Sequence, residues 1–268
     1  MLTRKPHVAG SFYPSEPSEL ANYCQSRLVP SSSEMRARAV ILPHAGYIYS
    51  GEVACGVLSR VKVPEKNLLI GPDHRGYGSD FSLFGEGEWQ TPLGNVPIEK
   101  PLARAVLEIS RDIEKNEEAH RFEHSLEVLV PFLQTKNQNL KIVPVIAGTL
   151  NFQLAREVAI LIAEMLVTKK EDILVVISND MSHYAEDSAT RKKDRYALDA
   201  IENLDAAALL KAIREHDITM CGMVPVYMLL AMHEKLGVQK ASLVDYRTSA
   251  EVTQDRQRVV GYAGFIFE

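Results

Sequence analysis

The sequence predicts an α/β fold in which a central sheet is covered by helices on both faces. Short apolar runs rich in β-branched residues, Ala39-Val40-Ile41-Leu42, Leu68-Leu69-Ile70 and Ile173-Leu174-Val175-Val176-Ile177, read as buried strands. Helical stretches alternate with them, as at residues 151–168 and 223–236. Each of the three strands also runs directly into a loop that carries a histidine. These loops are Pro43-His44-Ala45-Gly46, Gly71-Pro72-Asp73-His74 and Ser178-Asn179-Asp180-Met181-Ser182-His183. In open α/β sheets, ligands bind outside the carboxyl ends of the strands. If the three strands are parallel neighbours, their imidazoles converge on one crevice.

Taken in order, residues 1–35 read as a strap over the domain. Ala9-Gly10-Ser11-Phe12-Tyr13-Pro14 is rich in turn formers, a helix is expected from about Ser18 to Leu28, and Pro30-Ser31-Ser32-Ser33 reads as a loop. After the first core strand, Pro43 ends the run and Gly46 allows a tight turn. Ser50-Gly51 then starts a helix that stops before Pro64. Residues 76–99 are rich in Gly and Pro and hold the only tryptophan, Trp89; short strands or a hairpin at the sheet edge fit them. A helix is expected from about Pro101 to Ile113. Glu123-His124-Ser125-Leu126-Glu127 reads as the start of another, its acidic residues suited to the positive end of the helix dipole. Lys141 to Ile146 is a strand whose Pro144 points to an edge or a bulge. Helices are further expected at 151–168, 188–202, 205–215 and 223–236, and strands at Ser242–Tyr246 and Val259–Phe267. With no repeat, low-complexity tract or linker, residues 1–268 are expected to form a single domain.

The totals bound the function. A net charge of −5 among 268 residues argues against a general nucleic-acid or anionic-membrane binder, since both favour a positive surface. The Arg191-Lys192-Lys193-Asp194-Arg195 cluster then reads as a solvated helix face. Cys24, Cys55 and Cys221 lie far apart and form no C-x-x-C pair, which speaks against a disulfide framework or a structural zinc knuckle. An odd number of thiols suits a reducing compartment. The N-terminus leads into no apolar signal core and no apolar run reaches 18 residues, so a cytoplasmic location is expected.

The chemistry rests on three histidines and a thiol. Cys221 lies in Thr219-Met220-Cys221-Gly222-Met223, just before a helix, where a lowered thiol pKa is expected and a metal would complete its ionisation. His44, His74 and Cys221 then offer two neutral imidazoles and one anion. That is the charge pattern of the two-His-one-carboxylate sites of non-haem iron enzymes, with sulfur replacing oxygen, and it also suits copper or zinc. His183 is left as a general acid or base, with Asp180 three residues earlier to orient its ring. Each has an ordinary competitor. A single histidine after a strand is often a satisfied loop residue, a single cysteine a small buried hydrophobe, and Asp180 can cap a turn. His124 is the best extra candidate, although a histidine at a helix start is usually structural. Tyr47 and Trp89 fit core packing better than a pocket wall.

Six blocks in order resemble the Memo family (mediator of ErbB2-driven cell motility; AmmeMemoRadiSam system protein B). They are Ala9-Gly10-Ser11-Phe12-Tyr13, Pro43-His44-Ala45-Gly46-Tyr47, Gly71-Pro72-Asp73-His74, Glu123-His124-Ser125, Asn179-Asp180-Met181-Ser182-His183 and Thr219-Met220-Cys221-Gly222. The resemblance implies a three-layer α/β/α fold with a central mixed sheet, similar to class III extradiol dioxygenases. It implies His44, His74 and Cys221 at the metal positions, His183 at the position of the dioxygenases' catalytic histidine, and Asp180 at a nearby polar one. It also implies association with a radical-SAM enzyme and an AMMECR-type protein. Where those dioxygenases carry a carboxylate ligand this chain has Cys221, so ring cleavage does not carry over. Three functions follow as expectations. The first is a metal-dependent redox protein using iron(II) or copper on a small molecule. The others are a non-catalytic module holding a peptide or partner in the same crevice, and a zinc hydrolase.

Overall fold

A computed structural model describes residues 2–29 and 34–268; the expected loop at Pro30–Ser33 lies outside the described residues. The strap begins with a two-residue strand, β1 (Thr3–Arg4), and continues into α1 (Pro17–Arg27). The first core strand is β2 (Ala39–Leu42), every residue of which is buried. The following helix, α2 (Tyr47–Leu58), starts a turn earlier than the sequence suggests. Gly46 caps it, and Ser50 lies inside it with its hydroxyl turned back to the carbonyl of Ala45. Gly51 is interior because a Cβ there would lie 2.3 Å from the Tyr23 hydroxyl, so it lets α1 and α2 approach.

Next come β3 (Lys66–Pro72), β4 (Phe81–Leu83) and a hairpin, β5 (Glu88–Thr91) and β6 (Gly94–Pro97), turned by Gly94 at a positive φ. Helix α3 (Lys100–Glu108) is shorter than expected, because Ile113 begins a strand, β7 (Ile113–Lys115). The helix expected from Glu123 is not there. A single turn, α4 (Glu118–Arg121), is followed by irregular chain, a 3-10 turn at Glu127–Leu129 and then α5 (Val130–Lys136). The rest is β8 (Lys141–Ala147), α6 (Phe152–Lys169) capped by the Asn151 side chain, β9 (Ile173–Ser178), β10 (His183–Ala185), α7 (Asp187–Glu202), α8 (Ala206–His216) and α9 (Met223–Leu236). The chain closes with β11 (Ala241–Thr248), α10 (Ala250–Thr253) and β12 (Val259–Phe267).

The main sheet is mixed. Its order is β10-β12-β2-β9-β3-β8-β4-β7, and β11 pairs with the other edge of β12. The centre is parallel: β2 with β9, β9 with β3, and β3 with β8. Nearly continuous apolar runs fit strands buried on both faces. Strands β12 and β4 join antiparallel. β1, β5 and β6 form a separate small sheet. Strand β8 is interior, not an edge. Pro144 is tolerated because it falls where the β4 ladder stops, its carbonyl accepting from Phe84 N–H at 3.1 Å. Helix α2 packs on β2, β11 and β12, while α9 packs on β3, β9 and α6, giving helix layers around the sheet. Tyr47 and Trp89 are both buried in the core. No described helix is long and apolar enough to cross a membrane.

Candidate metal centre

Strand order places the site. β9 lies between β2 and β3, all three run the same way, and the loops leaving their carboxyl ends are adjacent. His44 leaves β2, His74 leaves β3, and Asp180 leaves β9. Cys221 arrives from the turn before α9 and can do so only because residue 222 is glycine. A Cβ on Gly222 would lie 2.4 Å from the Ser178 carbonyl oxygen and 2.8 Å from Asn179 Cβ. The Asn179 side chain accepts from Gly222 N–H at 2.9 Å and locks that approach. One donor atom each from His44, His74 and Cys221 lie within 4.8 Å of one another, and the two imidazole centroids are 5.2 Å apart.

His44 is buried, and its surroundings set its tautomer. Ser178 Oγ lies 2.6 Å from the Ser125 carbonyl, which has no proton to give, so the hydroxyl donates there. The same Oγ lies 2.7 Å from His44 Nδ1 and can only accept from it. Nε2 therefore carries the lone pair, and the Cys221 thiol donates to it at 3.3 Å. Asp180 N–H donates to the sulfur at 3.3 Å, and His44 N–H donates to Asp180 Oδ1 at 2.8 Å. Burial, helped by the neighbouring histidines, holds the His44 pKa well below its ordinary value, so the ring is neutral.

His74 is held from the other side. Its Nδ1 donates to Glu123 Oε1 at 2.8 Å and its backbone N–H to Oε2 at 2.7 Å, leaving Nε2 free. Oε1 also accepts from the N–H groups of His124 and Ser125. Burial opposes a charge on Glu123, but the bonds from His74 and the backbone outweigh it and bring its pKa down to about 2. Burial alone would lower His74; the Glu123 carboxylate outweighs it and raises the ring above its usual value. His124 stacks on His74 at 4.6 Å, and burial pushes its pKa down to about 4.

The segment carrying Glu123 and Ser125 is pinned by the strap. Arg4 is buried, pairs with Glu127 at 2.8 Å, and donates to the carbonyls of His120 and Glu123 at 2.7 Å each. Glu127 also accepts from His7 N–H, Val8 N–H and the Tyr13 hydroxyl. The acidic residues read as helix-start decoration are thus buried anchors. The turn at Gly10, with φ of +85°, brings Phe12 against the His124 ring at 4.9 Å.

Two sequence expectations change. Asp180 does not orient His183, because the chain between them is not helical and residues three apart share no face. Asp180 turns to the backbone of His44, whereas His183 donates from Nδ1 to the Thr219 carbonyl at 3.0 Å. Nor is the Cys221 pKa lowered by the helix start. Burial, with the Asp180 charge second, pushes it well above the ordinary thiol range. Burial also lifts Asp180 to about 7. Asp73 is no ligand but shapes its loop, accepting from the N–H groups of Arg75, Gly76 and Gly78. The sequence assigns no site role to Glu123, Ser125 or Ser178, and His124, the best extra candidate there, lies against the site.

Comparison with known proteins agrees over the whole chain. The family described as Memo-like protein matches residues 4–266. A MEMO1 family protein of Aquifex aeolicus is 39% identical with full coverage of both chains. One from Methanobrevibacter smithii is 34% identical, again over both chains in full, and one from Sulfolobus acidocaldarius is 35% identical over 99% of each. A crystal structure of the uncharacterized protein JW3007 from Escherichia coli K12 superposes with a TM-score of 0.56, covering 87% of this chain and 100% of that one; at 13% identity it speaks for the fold alone. With its fold and its six ordered blocks accounted for, the chain belongs to the Memo-like family.

Proposed function

We propose that this chain is a metal-dependent redox protein in which His44, His74 and Cys221 hold one iron(II) or copper ion. The observation that carries this is the meeting of three borderline-to-soft donors from distant segments, all within 4.8 Å of one another. Held by His44, His74 and Cys221, such an ion would supply one-electron chemistry with dioxygen toward a small substrate. The fit is chemical as well as spatial. A buried thiol beside a carboxyl group is a poor anion by itself, and a cation is what would stabilise its thiolate. Both imidazoles have their far nitrogens already bonded, which leaves Nε2 of each as the atom to meet an ion.

The protein's own groups have distinct tasks in this reading. Asp180 orders the His44 loop through the backbone N–H and sits close to the thiol as a charge-balancing group. His183, tied through Nδ1 to Thr219, offers Nε2 as the proton donor or acceptor. Metal analysis of anaerobically purified wild type beside His44→Ala tests the proposal. About one iron or copper per chain in the wild type and a large loss in the variant is expected. Negligible metal in both overturns it, and stoichiometric zinc without redox activity replaces the redox reading by a hydrolytic one.

A further inference from the structure

His74, Glu123 and His124 also lie close enough together to suggest a second ion. The carboxylate is already fully engaged, however. Oε1 accepts from His74 Nδ1, His124 N–H and Ser125 N–H, and Oε2 accepts from His74 N–H. A group with four donors on two oxygens holds its neighbours in place; it is not vacant for a cation.

We propose that the Glu123–Ser125 turn, acting directly on His74 and through Ser178 on His44, is one positioning device that fixes both imidazoles with Nδ1 protonated and the lone pair on Nε2. Glu123 takes the Nδ1 proton of His74, while the Ser125 carbonyl takes the Ser178 hydroxyl proton, so that Ser178 can only accept from His44. Two rings from different strands are thus aimed by residues two apart in sequence. Glycine at 71 permits the arrangement: a Cβ there would lie 2.8 Å from Leu126 Cδ2 and 2.9 Å from Ser125 Oγ. Ser125 Oγ closes the contact by donating to the Pro72 carbonyl at 3.1 Å. Such outer partners typically change metal affinity by roughly 10–100-fold. This inference deepens the metal reading above and rests on it for its consequence, but not for its geometry.

The test reads tautomers in metal-free protein and affinity separately. With 15N-histidine labelling at a pH above the raised His74 pKa, wild-type His44 and His74 are both expected to show a protonated Nδ1 and an unprotonated Nε2. Ser178→Ala is expected to lose that pattern at His44 and keep it at His74. Zinc(II) alone, titrated against a chromophoric chelator, should bind Ser178→Ala roughly 10–100-fold more weakly than wild type. His44 protonated at Nε2 in the wild type, or unchanged tautomer and affinity in Ser178→Ala, overturns the inference. Should the variant fail to fold, the wild-type spectrum alone still decides. A wild type that shows both tautomers as expected yet binds no zinc, iron or copper contradicts the metal reading and leaves the positioning device standing.

Discussion

His44 and His74 hang from the ends of two parallel strands separated by a third, whereas Glu123 and Ser125 sit on irregular chain between a single helical turn and a 3-10 turn. The first region delivers the rings and owes its geometry to the register of a buried sheet. The second gives no ligand to the proposed ion. It is held by Arg4, by the strap's backbone N–H groups and by Glu127, and it determines which nitrogen each ring presents. The lesson is a division of labour: a rigid sheet edge sets where the imidazoles are, and a pinned turn sets what they offer.

The largest effect should come from breaking the delivery side. Cys221→Ala or His44→Ala removes a donor outright, and zinc affinity by chelator competition should fall by more than the roughly 100-fold upper range of an outer partner. A smaller loss would mean that the turn matters more than the strand ends. Next comes the anchor of the second region. Arg4→Met leaves Glu127 buried without its cation, and unfolding in urea should show a loss of about 3–5 kcal/mol. An unchanged midpoint would show that the strap does not hold the segment.

Acid should loosen the same segment. His120 is buried, and burial, with Arg4 second, brings its pKa down to about 3. The unfolded chain takes up its proton near pH 6.5, so stability from this group is full above that pH and falls as pH drops toward 3. The difference is on the order of 5 kcal/mol. In His120→Phe the slope of stability against pH between 6.5 and 3 should be shallower; an identical slope contradicts the assignment. The smallest effect expected is that of His183→Ala on metal affinity, which should stay within about twofold because His183 is bonded to Thr219, outside the donor set. A tenfold loss would make His183 a ligand.

The two regions also differ in how much of them the sequence reveals. His44 and His74 were legible because the strand, its stop signal and the histidine are contiguous, and a local pattern shows all three. The helices expected at 151–168 and 223–236 lie within a residue of those observed at Phe152–Lys169 and Met223–Leu236, where the structure adds the Asn151 cap and the Gly237 stop. Glu123 and Ser178 were not. Glu123 meets His74 across 49 residues, and Ser178 meets His44 across 134. Ser178 reads as the first residue of the loop after a strand, and Glu123 as a charge at a helix start, until the tertiary structure supplies their partners. Cys221 was placed correctly near a helix start, but the thiol's ionisation is governed by burial, which the sequence does not display.

X-ray absorption at the edge of the bound iron, copper or zinc, on protein reconstituted without oxygen, tests the centre most directly. The expected shell has one sulfur and two imidazole nitrogens, with the sulfur signal lost in Cys221→Ala. A first shell of nitrogen and oxygen alone in the wild type, unchanged by that substitution, would contradict the His44–His74–Cys221 centre.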